Sequence, residues 1–245
     1  MVKYTGIRKI VFSVLRIVRQ KKKRQGRYRD MKFVCDSVDL SEAAVTVVKA
    51  CAVRTLTPVL ECIRMQVKND GVTLSAYDGE LSIEKSFKAD VLEEGEACVN
   101  GRLFTDFIGK ISHTQITVGT VEQGVEIRYD DSRSFMQVLP ADEFPRLDCG
   151  ESVGEFEVEE GKFKNLVARS IFCCASDDSR PILKGCLLET EGNILRASAL
   201  DGYRMATTEC ELKSGDDGKK IVCPARTLGE ISRMLAGADK LLKVE

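Results

Sequence analysis

Apolar residues in the first third of the chain recur at the spacing of an amphipathic helix. The stripe follows the i, i+3, i+4 pattern and consists of Leu40, Ala43, Ala44, Val48 and Cys51. Asp39 stands at the start of this stretch and Glu42 follows three residues later, which is the arrangement of a capping box. The pattern therefore predicts a helix that begins at Asp39. Similar patterns predict helices over 101–111 and 224–235, the last with a proline at its start.

Two short stretches predict β-hairpins of the same design. Residues 76–83 read AYDGELSI and residues 199–206 read ALDGYRMA. In each, an Asp-Gly pair separates two alternating runs, and glycine accepts the positive φ that a tight turn requires. Asp78 and Asp201 are accordingly interpreted as turn formers.

The two hairpins belong to an internal repeat with an offset of 123 residues. Shifting the helix stripe by this offset gives five further apolar residues, Phe163, Leu166, Val167, Ile171 and Cys174. Residues 38–112 hold eleven identities with their shifted partners, where chance gives about four or five. The identities include Pro58 with Pro181, Leu60 with Leu183, and the Asp-Gly pairs. The sequence thus predicts two successive units of strand, helix, hairpins and a second helix.

The two units are predicted to differ at their ends. Residues 114–140 alternate as two to three strands after the first unit, and residues 141–152 are predicted to link the units. In the second unit only the strand KLLKVE, residues 240–245, follows the helix. We therefore expect that this sequence stops inside its second unit and that a third unit of the same pattern follows Glu245.

Charge is unevenly distributed, although the formal net charge is −1. Residues 1–30 carry eleven Lys and Arg against Asp30 alone, whereas the remainder carries 26 basic and 37 acidic side chains. A basic arm of this kind can bind nucleic acid or a membrane surface. The alternative interpretation is that the protein starts at Met31 and that the arm is translated upstream sequence.

Composition excludes several classes of protein. A hydrophobic fraction of 43% with 31% charged residues is typical of a globular protein, and no apolar run reaches the roughly 20 residues of a membrane span. The ten cysteines include no Cys-x-x-Cys, and His113 is the single histidine, so zinc-site spacing is absent. We expect free thiols, no metal, no cofactor and a cytoplasmic location.

Four stretches of the chain resemble the bacterial sliding clamps, the beta subunits of DNA polymerase III. They are MKF at 31–33, RTLTPVLECIRMQVKNDGVTLSAYDGELSIE at 54–84, FMQVLPADEFPRL at 135–147 and SRPILKGCLLETEGNILRASALDGYRMA at 179–206. The resemblance covers about residues 31–245. It implies an α+β fold of tandem clamp domains with helices on one face of antiparallel sheets. The implied domains are 31–148 and 153–245, the second incomplete, after an extension of residues 1–30.

The resemblance implies a processivity factor with no catalytic residue. In this family two protomers form a head-to-tail ring around duplex DNA, and the ring tethers the polymerase III catalytic subunit and is opened by the clamp loader. Retention by a closed ring allows weak, sequence-independent phosphate contacts. Predicted DNA-facing residues lie on the helices or at their ends: Lys49, Arg54, Arg102, Lys110, Lys162, Lys164, Arg169, Arg226 and Arg233. Arg54 matches a family arginine that faces DNA, whereas the acidic pair Asp177-Asp178 stands where the family's second-domain loop meets the template.

The resemblance also implies a pocket for short peptides of partner proteins. Its wall, carried over by position, comprises Leu183, Leu200, Gly202, Tyr203, Arg204 and Met205. Such apolar side chains suit aliphatic anchors, and methionine suits several partners; simple core packing is the alternative for Leu183 and Met205. The first unit holds Glu80 and Leu81 at this place. The homodimer contact is implied near Ser134 and Met136, against the third domain of the partner protomer. The resemblance places the opposite wall of the pocket in the third domain and the segment before it. We therefore expect this sequence as written neither to close a ring nor to bind the peptide tightly.

Two other functions compete with this interpretation. Asp201, Tyr203 and Arg204 could form an acid–base cluster of an enzyme, although no histidine, glycine-rich phosphate loop or metal spacing accompanies them. The second alternative is a nucleic-acid-binding or membrane-tethering module driven by the basic arm, where residues 21–29 read KKKRQGRYR.

Overall fold

The computed structural model describes residues 2–4, 7–12, 30–69, 71–122, 124–145, 152, 154–177, 179–235, 237 and 240–245. The basic stretch at 21–29 and Asp178 lie outside the described residues. The chain divides into two units. The first comprises Thr5–Asp148, and the second comprises Cys149–Glu245 together with Met1–Tyr4. Among the described residues, no helix is both long enough and apolar enough to span a membrane.

The N-terminal strand β1 (Val2–Tyr4) belongs to the second unit. The described residues of the first unit form eleven strands and two α-helices. These elements are β2 (Ile7–Phe12), β3 (Lys32–Asp36), α1 (Ser37–Val47), β4 (Cys62–Lys68), β5 (Gly71–Tyr77), β6 (Leu81–Lys88), β7 (Asp90–Glu93), β8 (Gly95–Asn100), α2 (Gly101–Ile108), β9 (Gln115–Val121), β10 (Gly124–Tyr129), β11 (Ser132–Met136) and β12 (Val138–Leu139). Strands β12-β8-β4-β5-β6-β2 form one antiparallel sheet and β11-β10-β9-β3-β7 form the other.

The second unit repeats the order of strands and helices that the first unit shows from β3 to β9. It contains β13 (Phe156–Glu159), α3 (Glu160–Ala168), β14 (Gly185–Glu191), β15 (Ile194–Leu200), β16 (Met205–Glu211), β17 (Ser214–Gly215), β18 (Lys220–Pro224), α4 (Ala225–Met234) and β19 (Leu241–Val244). Its sheets run β16-β15-β14-β18 and β1-β19-β13-β17. Strand β1 thus pairs with β19 where the first unit has β10 beside β9. The shared topology confirms the predicted repeat and the α+β class.

Each unit buries the helices against one face of its sheets. In β4 the inward side chains Ile63, Met65 and Val67 are fully buried, while Arg64 and Gln66 on the opposite face are partly exposed. Alternation of this kind is expected of a strand with one buried face. Helices α1 and α2 pack on one another in the first unit, as α3 and α4 do in the second. The largest fully buried side chains include Phe33, Phe104 and Phe163.

The first helix begins two residues before its predicted start, and its capping residue lies three residues before the predicted one. Helix α1 begins at Ser37, because the Asp36 carboxylate caps it by accepting a hydrogen bond from the Val38 N–H at 2.8 Å. Asp39 lies in the first turn, where an acidic side chain still favours the helix dipole. The regular helix ends at Val47, and Val48 begins a short 3₁₀ turn, Val48–Ala50.

Other boundaries also differ from the prediction. Helix α2 ends at Ile108 rather than 111, and α4 spans Ala225–Met234 with Pro224 as its N-cap. Residues 114–140 form four strands, β9 to β12. Strand pairing reveals a one-residue shift in the repeat, since Arg64 faces Cys98 whereas Leu187, its shifted partner, faces Val222. Cys98 therefore occupies the place of Val222, although the offset of 123 residues aligns Val99 with Val222.

The predicted linker begins within the first unit. Ala141–Glu143 form a 3₁₀ turn, and the Phe144 side chain is buried against Val59, Cys62 and Cys98. Residues 146–151 and 153 lie outside the described residues. The structure therefore assigns at least residues 141–145 to the packing of the first unit.

The nine cysteines that the structure describes are free thiols. Burial raises the pKa of Cys35 and of Cys51 to about 12, and that of Cys62 to about 11. Because the thiolate is the reactive form, these thiols are chemically quiet at neutral pH. The finding agrees with the expectation that cysteines here act as small apolar side chains.

Replacing Gly124 with valine is expected to destabilise the first unit. A Cβ at this position lies 2.2 Å from the Met136 carbonyl oxygen, so β10 and β11 must separate. Forced overpacking of this kind lowers the free energy of unfolding by roughly 1–3 kcal/mol, measurable by urea denaturation. Gly229→Ala is the control, because its nearest neighbour is the Ile171 side chain at 3.7 Å. Equal unfolding midpoints for the wild-type chain and Gly124→Val would contradict this prediction.

Candidate functional site

The hairpin between β15 and β16 is held rigidly by Asp201. The Oδ1 atom of Asp201 accepts hydrogen bonds from the N–H groups of Tyr203 at 2.9 Å and Arg204 at 3.1 Å, and Gly202 has a φ of +97°. Asp78 does the same in the first unit, for the N–H groups of Glu80 and Leu81. Both aspartates thus accept the backbone hydrogen bonds of a turn former, as predicted.

Arg204 connects the hairpin to a neighbouring turn. Its Nε donates to Asp201 Oδ2 at 3.0 Å, and its Nη2 donates to the Phe172 carbonyl oxygen at 3.0 Å. The guanidinium carbon also lies 5.8 Å from the centroid of the Phe172 ring, within the range of a cation–π contact. Arg204 is therefore a fixed part of the site rather than a freely rotating surface charge.

An apolar surface surrounds this hairpin on the second unit. Leu200 and Met205 face each other across the two strands and are both exposed, Met205 by 64%. Tyr203 at the tip is 99% exposed, while Leu183 is half-buried. Exposed apolar residues in a group of this kind mark interaction sites. The structure thus brings the predicted pocket residues together, and packing in the core does not account for Met205.

Further residues of this surface were missed by sequence reasoning. Ile182 is 65% exposed and Phe172 is 57% exposed. Arg180 points toward Gly202, where a Cβ would lie 3.5 Å from its Nη1 atom. Phe172 had a detectable signal, because it is an aromatic residue at the position where the first unit carries Lys49. We call Phe172, Ile182, Leu183, Leu200, Tyr203 and Met205 the hairpin surface.

The floor of the site needs a glycine on β14. A Cβ at Gly185 lies 2.5 Å from the Val222 Cγ1 atom and 3.2 Å from the Cys223 carbonyl oxygen. Val222 therefore covers Gly185 directly, and any larger residue would push β18 away.

Acidification is expected to loosen the hairpin. The pKa of Asp201 lies below its ordinary value, first because of the hydrogen bond from the Tyr203 N–H, then because of the bonds from Arg204. A lowered pKa means that the carboxylate stabilises the folded turn above the ordinary Asp pKa of about 3.9. That contribution is lost as the pH falls through the lower, folded-state pKa.

Amide chemical shifts of Tyr203 and Arg204 measure this loss, and they are expected to change together below the ordinary Asp pKa. Asp201→Ala should remove the transition, and Asp201→Asn should keep the turn but lose its pH dependence. Asp78→Asn in the first unit is the matched control and should leave the Tyr203 shift unchanged. If the amide shift of Tyr203 still changed with pH in Asp201→Asn as it does in the wild-type chain, the transition could not be assigned to Asp201.

The predicted DNA-facing residues separate into two groups. Lys49 is half-buried on its 3₁₀ turn, and Arg54, Arg102, Lys110 and Arg169 are exposed; within the described residues, none of these five forms an ion pair. In the second unit, Lys162 pairs with Glu211 at 3.1 Å, and Lys164 donates to the Leu235 carbonyl oxygen at 3.1 Å. Arg233 pairs with Glu230, and Arg226 is exposed on α4. Four of the five basic residues without an ion pair to a described residue lie in the first unit, and Arg169 lies in the second. We call these five residues the uncommitted cations.

The acidic loop of the second unit is internally satisfied. Asp177 Oδ1 accepts hydrogen bonds from the N–H and the hydroxyl of Ser179, and these bonds lower the pKa of Asp177. A carboxylate in this state stays charged at neutral pH and repels phosphate. No DNA contact is therefore assigned to this loop.

The strand with the predicted dimer contact lies at a sheet edge. Strand β11 pairs only with β10 among the described strands, with Ser134 opposite Ile127. Met136 is buried within its own unit, Ser134 is half-buried, and the exposed side chain is Phe135, over which Arg133 stacks at 5.1 Å. The edge can accept a further strand, with Phe135 as its apolar contact.

The described residues contain no cluster of three or more His, Cys, Asp or Glu side chains arranged to hold a metal ion. Residues around the hairpin surface instead supply apolar contact area, the arginines Arg180 and Arg204, and backbone groups. Such a surface suits a peptide.

Two family models match the chain. The N-terminal domain of the DNA polymerase III beta subunit matches residues 31–148, and the central domain of the same protein matches residues 157–245.

Individual proteins agree with the models. The beta sliding clamp of Halalkalibacterium halodurans is 27% identical over 226 residues, which cover 87% of this chain and 60% of that protein. The beta sliding clamp of Escherichia coli K12 is 30% identical over 217 residues, covering 88% and 59%. The crystal structure of the DNA polymerase sliding clamp from Bacillus subtilis superposes with a TM-score of 0.83 at 26% identity, covering 87% of this chain and 59% of that one. The chain thus spans about 60% of the length of the curated relatives it matches.

Proposed function

The chain belongs to the DNA polymerase III beta-subunit family, and from this membership we propose that it serves as a DNA replication processivity clamp. In this role the full-length protein encircles duplex DNA as a homodimeric ring and tethers the replicative polymerase and other factors through the hairpin surface. We assign clamp domains to 31–148 and 153–245, with residues 1–30 as an extension. The role requires no chemical step, and we propose a cytoplasmic, non-catalytic subunit.

The hairpin surface is the observation that supports tethering most directly. A rigid Asp201 turn presents Leu200, Tyr203 and Met205 to solvent, and Arg204 fixes the adjacent Phe172. Fixed apolar anchors reduce the ordering cost of binding a peptide. Uncommitted cations at Arg54, Arg102 and Lys110 support the proposed DNA face. Edge strand β11 supports a head-to-tail contact through strand addition.

Primer extension on singly primed circular DNA tests the proposal. With a bacterial replicative polymerase, its clamp loader and ATP, the full-length protein is expected to lengthen the products formed in a single binding event. Leu200→Asp with Met205→Asp should abolish the effect, while Leu92→Asp, an exposed leucine of the first unit, should not. Products of equal length with and without the protein would refute the proposed role.

A binding module driven by residues 1–30 is the alternative that their charge supports. Its test is deletion of these residues followed by DNA titration at several salt concentrations. An arm-driven binder loses most of its salt dependence, whereas the proposed clamp keeps the contribution of Arg54 and the other uncommitted cations.

A further inference from the structure

The first unit contains a counterpart of the hairpin surface, and that counterpart is covered. Val59 and Leu60 occupy the positions of Ile182 and Leu183, on 3₁₀ turns that precede the equivalent strands β4 and β14. Tyr77 occupies the position of Leu200 at the end of β5. Yet Val59 is 2% exposed, whereas Ile182 is 65% exposed. The same scaffold position is therefore closed in one unit and open in the other.

The cover of this counterpart is the ring of Phe144. Phe144 forms a buried cluster with Val59, Cys62 and Cys98, and Leu60 and Tyr77 pack against the cluster. Cys62 lies on the outer face of its sheet, opposite the buried Ile63 and Met65, so the ring sits outside the helix-packed core. Arg64 on the same face places its guanidinium carbon 6.0 Å from the ring centroid and is itself paired with Glu96 at 2.6 Å.

The segment that carries Phe144 arrives as an added strand. Strand β12 pairs with β8 through Val138 opposite Val99 and Leu139 opposite Cys98. The turn Ala141–Glu143 then directs Phe144 back onto the sheet, with the Phe144 N–H donating to the Ala141 carbonyl oxygen at 3.2 Å. Strand addition followed by insertion of one anchor residue is a known way in which extended peptides bind to a sheet edge.

The second unit has no such cover among its described residues. Strand β18, the counterpart of β8, is the last strand of its sheet, and its free edge is unpaired in the described part of the chain. Val222 and Gly185, the counterparts of Cys98 and Cys62, are half-buried rather than buried. The strand edge that β12 pairs with in the first unit is thus open in the second, and Val222 covers Gly185 where Phe144 covers Cys62.

We propose that residues 138–144 are an intramolecular ligand, and that they close a second peptide-binding groove in the first unit. This groove, the first-unit groove, is lined by Val59, Leu60, Cys62, Tyr77 and Cys98. It takes an extended peptide that pairs with β8 and inserts one aromatic side chain. Occupation in cis leaves each chain with a single open groove, at the hairpin surface, although the repeat supplies two.

Peptide binding in trans tests the proposal without DNA or polymerase. Phe144→Ala empties the aromatic site of the first-unit groove, so that a peptide in excess can displace the tethered strand β12 from β8. Leu200→Asp in the same chain blocks the hairpin surface. The probes are a peptide of residues 138–147, VLPADEFPRL, and the same peptide with alanine in place of phenylalanine. We expect the double variant to bind the phenylalanine peptide at least about tenfold more tightly than the alanine peptide, given the area that a buried aromatic contributes. Leu200→Asp alone should bind neither peptide measurably.

Thiol labelling distinguishes local opening from loss of the fold. In Phe144→Ala, Cys62 and Cys98 should react with iodoacetamide faster than in the wild-type chain, while the buried Cys35 of the other sheet stays protected. The phenylalanine peptide should slow both reactions again. Phe135→Ala removes an exposed phenylalanine of the same unit and should leave all three thiols protected.

Two results would overturn the proposal. Equal affinity of the double variant for the two peptides would mean that no aromatic-specific groove is opened. Labelling of Cys35 as fast as Cys62 would mean that Phe144 is an ordinary core residue of the whole unit. Since neither readout involves DNA, they remain independent of the outcome of the primer-extension test.

Discussion

Neutralising the first unit's cations, with Lys49→Gln, Arg54→Gln, Arg102→Gln and Lys110→Gln combined, is expected to reduce the salt dependence of DNA binding steeply. None of these side chains forms an ion pair with a described residue, so each is free to replace a counterion on phosphate. The slope of log affinity against log salt changes by about 0.9 per phosphate contact, hence by about 3 to 4 for the set. Affinity at low salt should fall by roughly two orders of magnitude.

Fluorescence anisotropy with labelled duplex DNA, over a series of salt concentrations, measures both quantities. The matched control replaces four basic residues that already have acidic partners: Lys162, Arg196, Lys213 and Lys220. Their replacement should change the slope much less, because their charge is internally compensated. An equal change of the salt-dependence slope in the two variants would show that ion pairing within the chain does not determine which basic side chains contact DNA.

Aspartate at Leu200 and Met205 is expected to remove peptide binding at the hairpin surface. Both residues are exposed and lie directly opposite each other on β15 and β16, so a bound apolar anchor would bury two charges. Anchors at the centre of an interface contribute about 2–4 kcal/mol each. A fall of affinity by at least about 100-fold is therefore expected.

Isothermal titration with a peptide from the replicative polymerase measures this fall. The control is Leu92→Asp, which places the same charge on an exposed leucine of the first unit. Leu92→Asp should retain the wild-type unfolding midpoint, and the double variant should remain folded with a lowered midpoint, because Leu200 is only 38% exposed and the two aspartates lie opposite each other. Retained peptide affinity in the double variant would exclude the hairpin surface as the binding site.

Local signals in the sequence predicted the architecture well. The Asp-Gly pairs identified both hairpins, because the side chain of the aspartate and the positive φ of the glycine together determine the turn. The offset of 123 residues identified the repeat, because its identities fall at turns and core positions. Helix ends were harder to predict. Asp36 and Asp39 are both acceptable caps by composition, and only the end of β3 decides that Asp36 performs the role.

Contacts distant in sequence escaped prediction for a different reason. Periodicity reports which face of an element is buried, but it does not report what covers the opposite face. Phe144 looked like part of a linker because prolines and acidic residues flank it, and its burial depends on β12 pairing with β8. The one-residue shift at Cys98 likewise follows from strand register. Phe172 was missed because its partner, Arg204, lies 32 residues further along the chain.

The unpaired edge of β11 has a consequence for handling the protein. An edge strand with free backbone groups can template aggregation, and natural proteins protect such edges with charge. Here the Nε atom of Arg133 lies 3.3 Å from the Oε1 atom of Glu126, and the guanidinium places a positive charge beside the exposed Phe135. Concentrated samples should therefore become turbid at a lower protein concentration when Arg133 is replaced by a neutral residue. Light scattering during concentration would measure how much this single guanidinium contributes to colloidal stability.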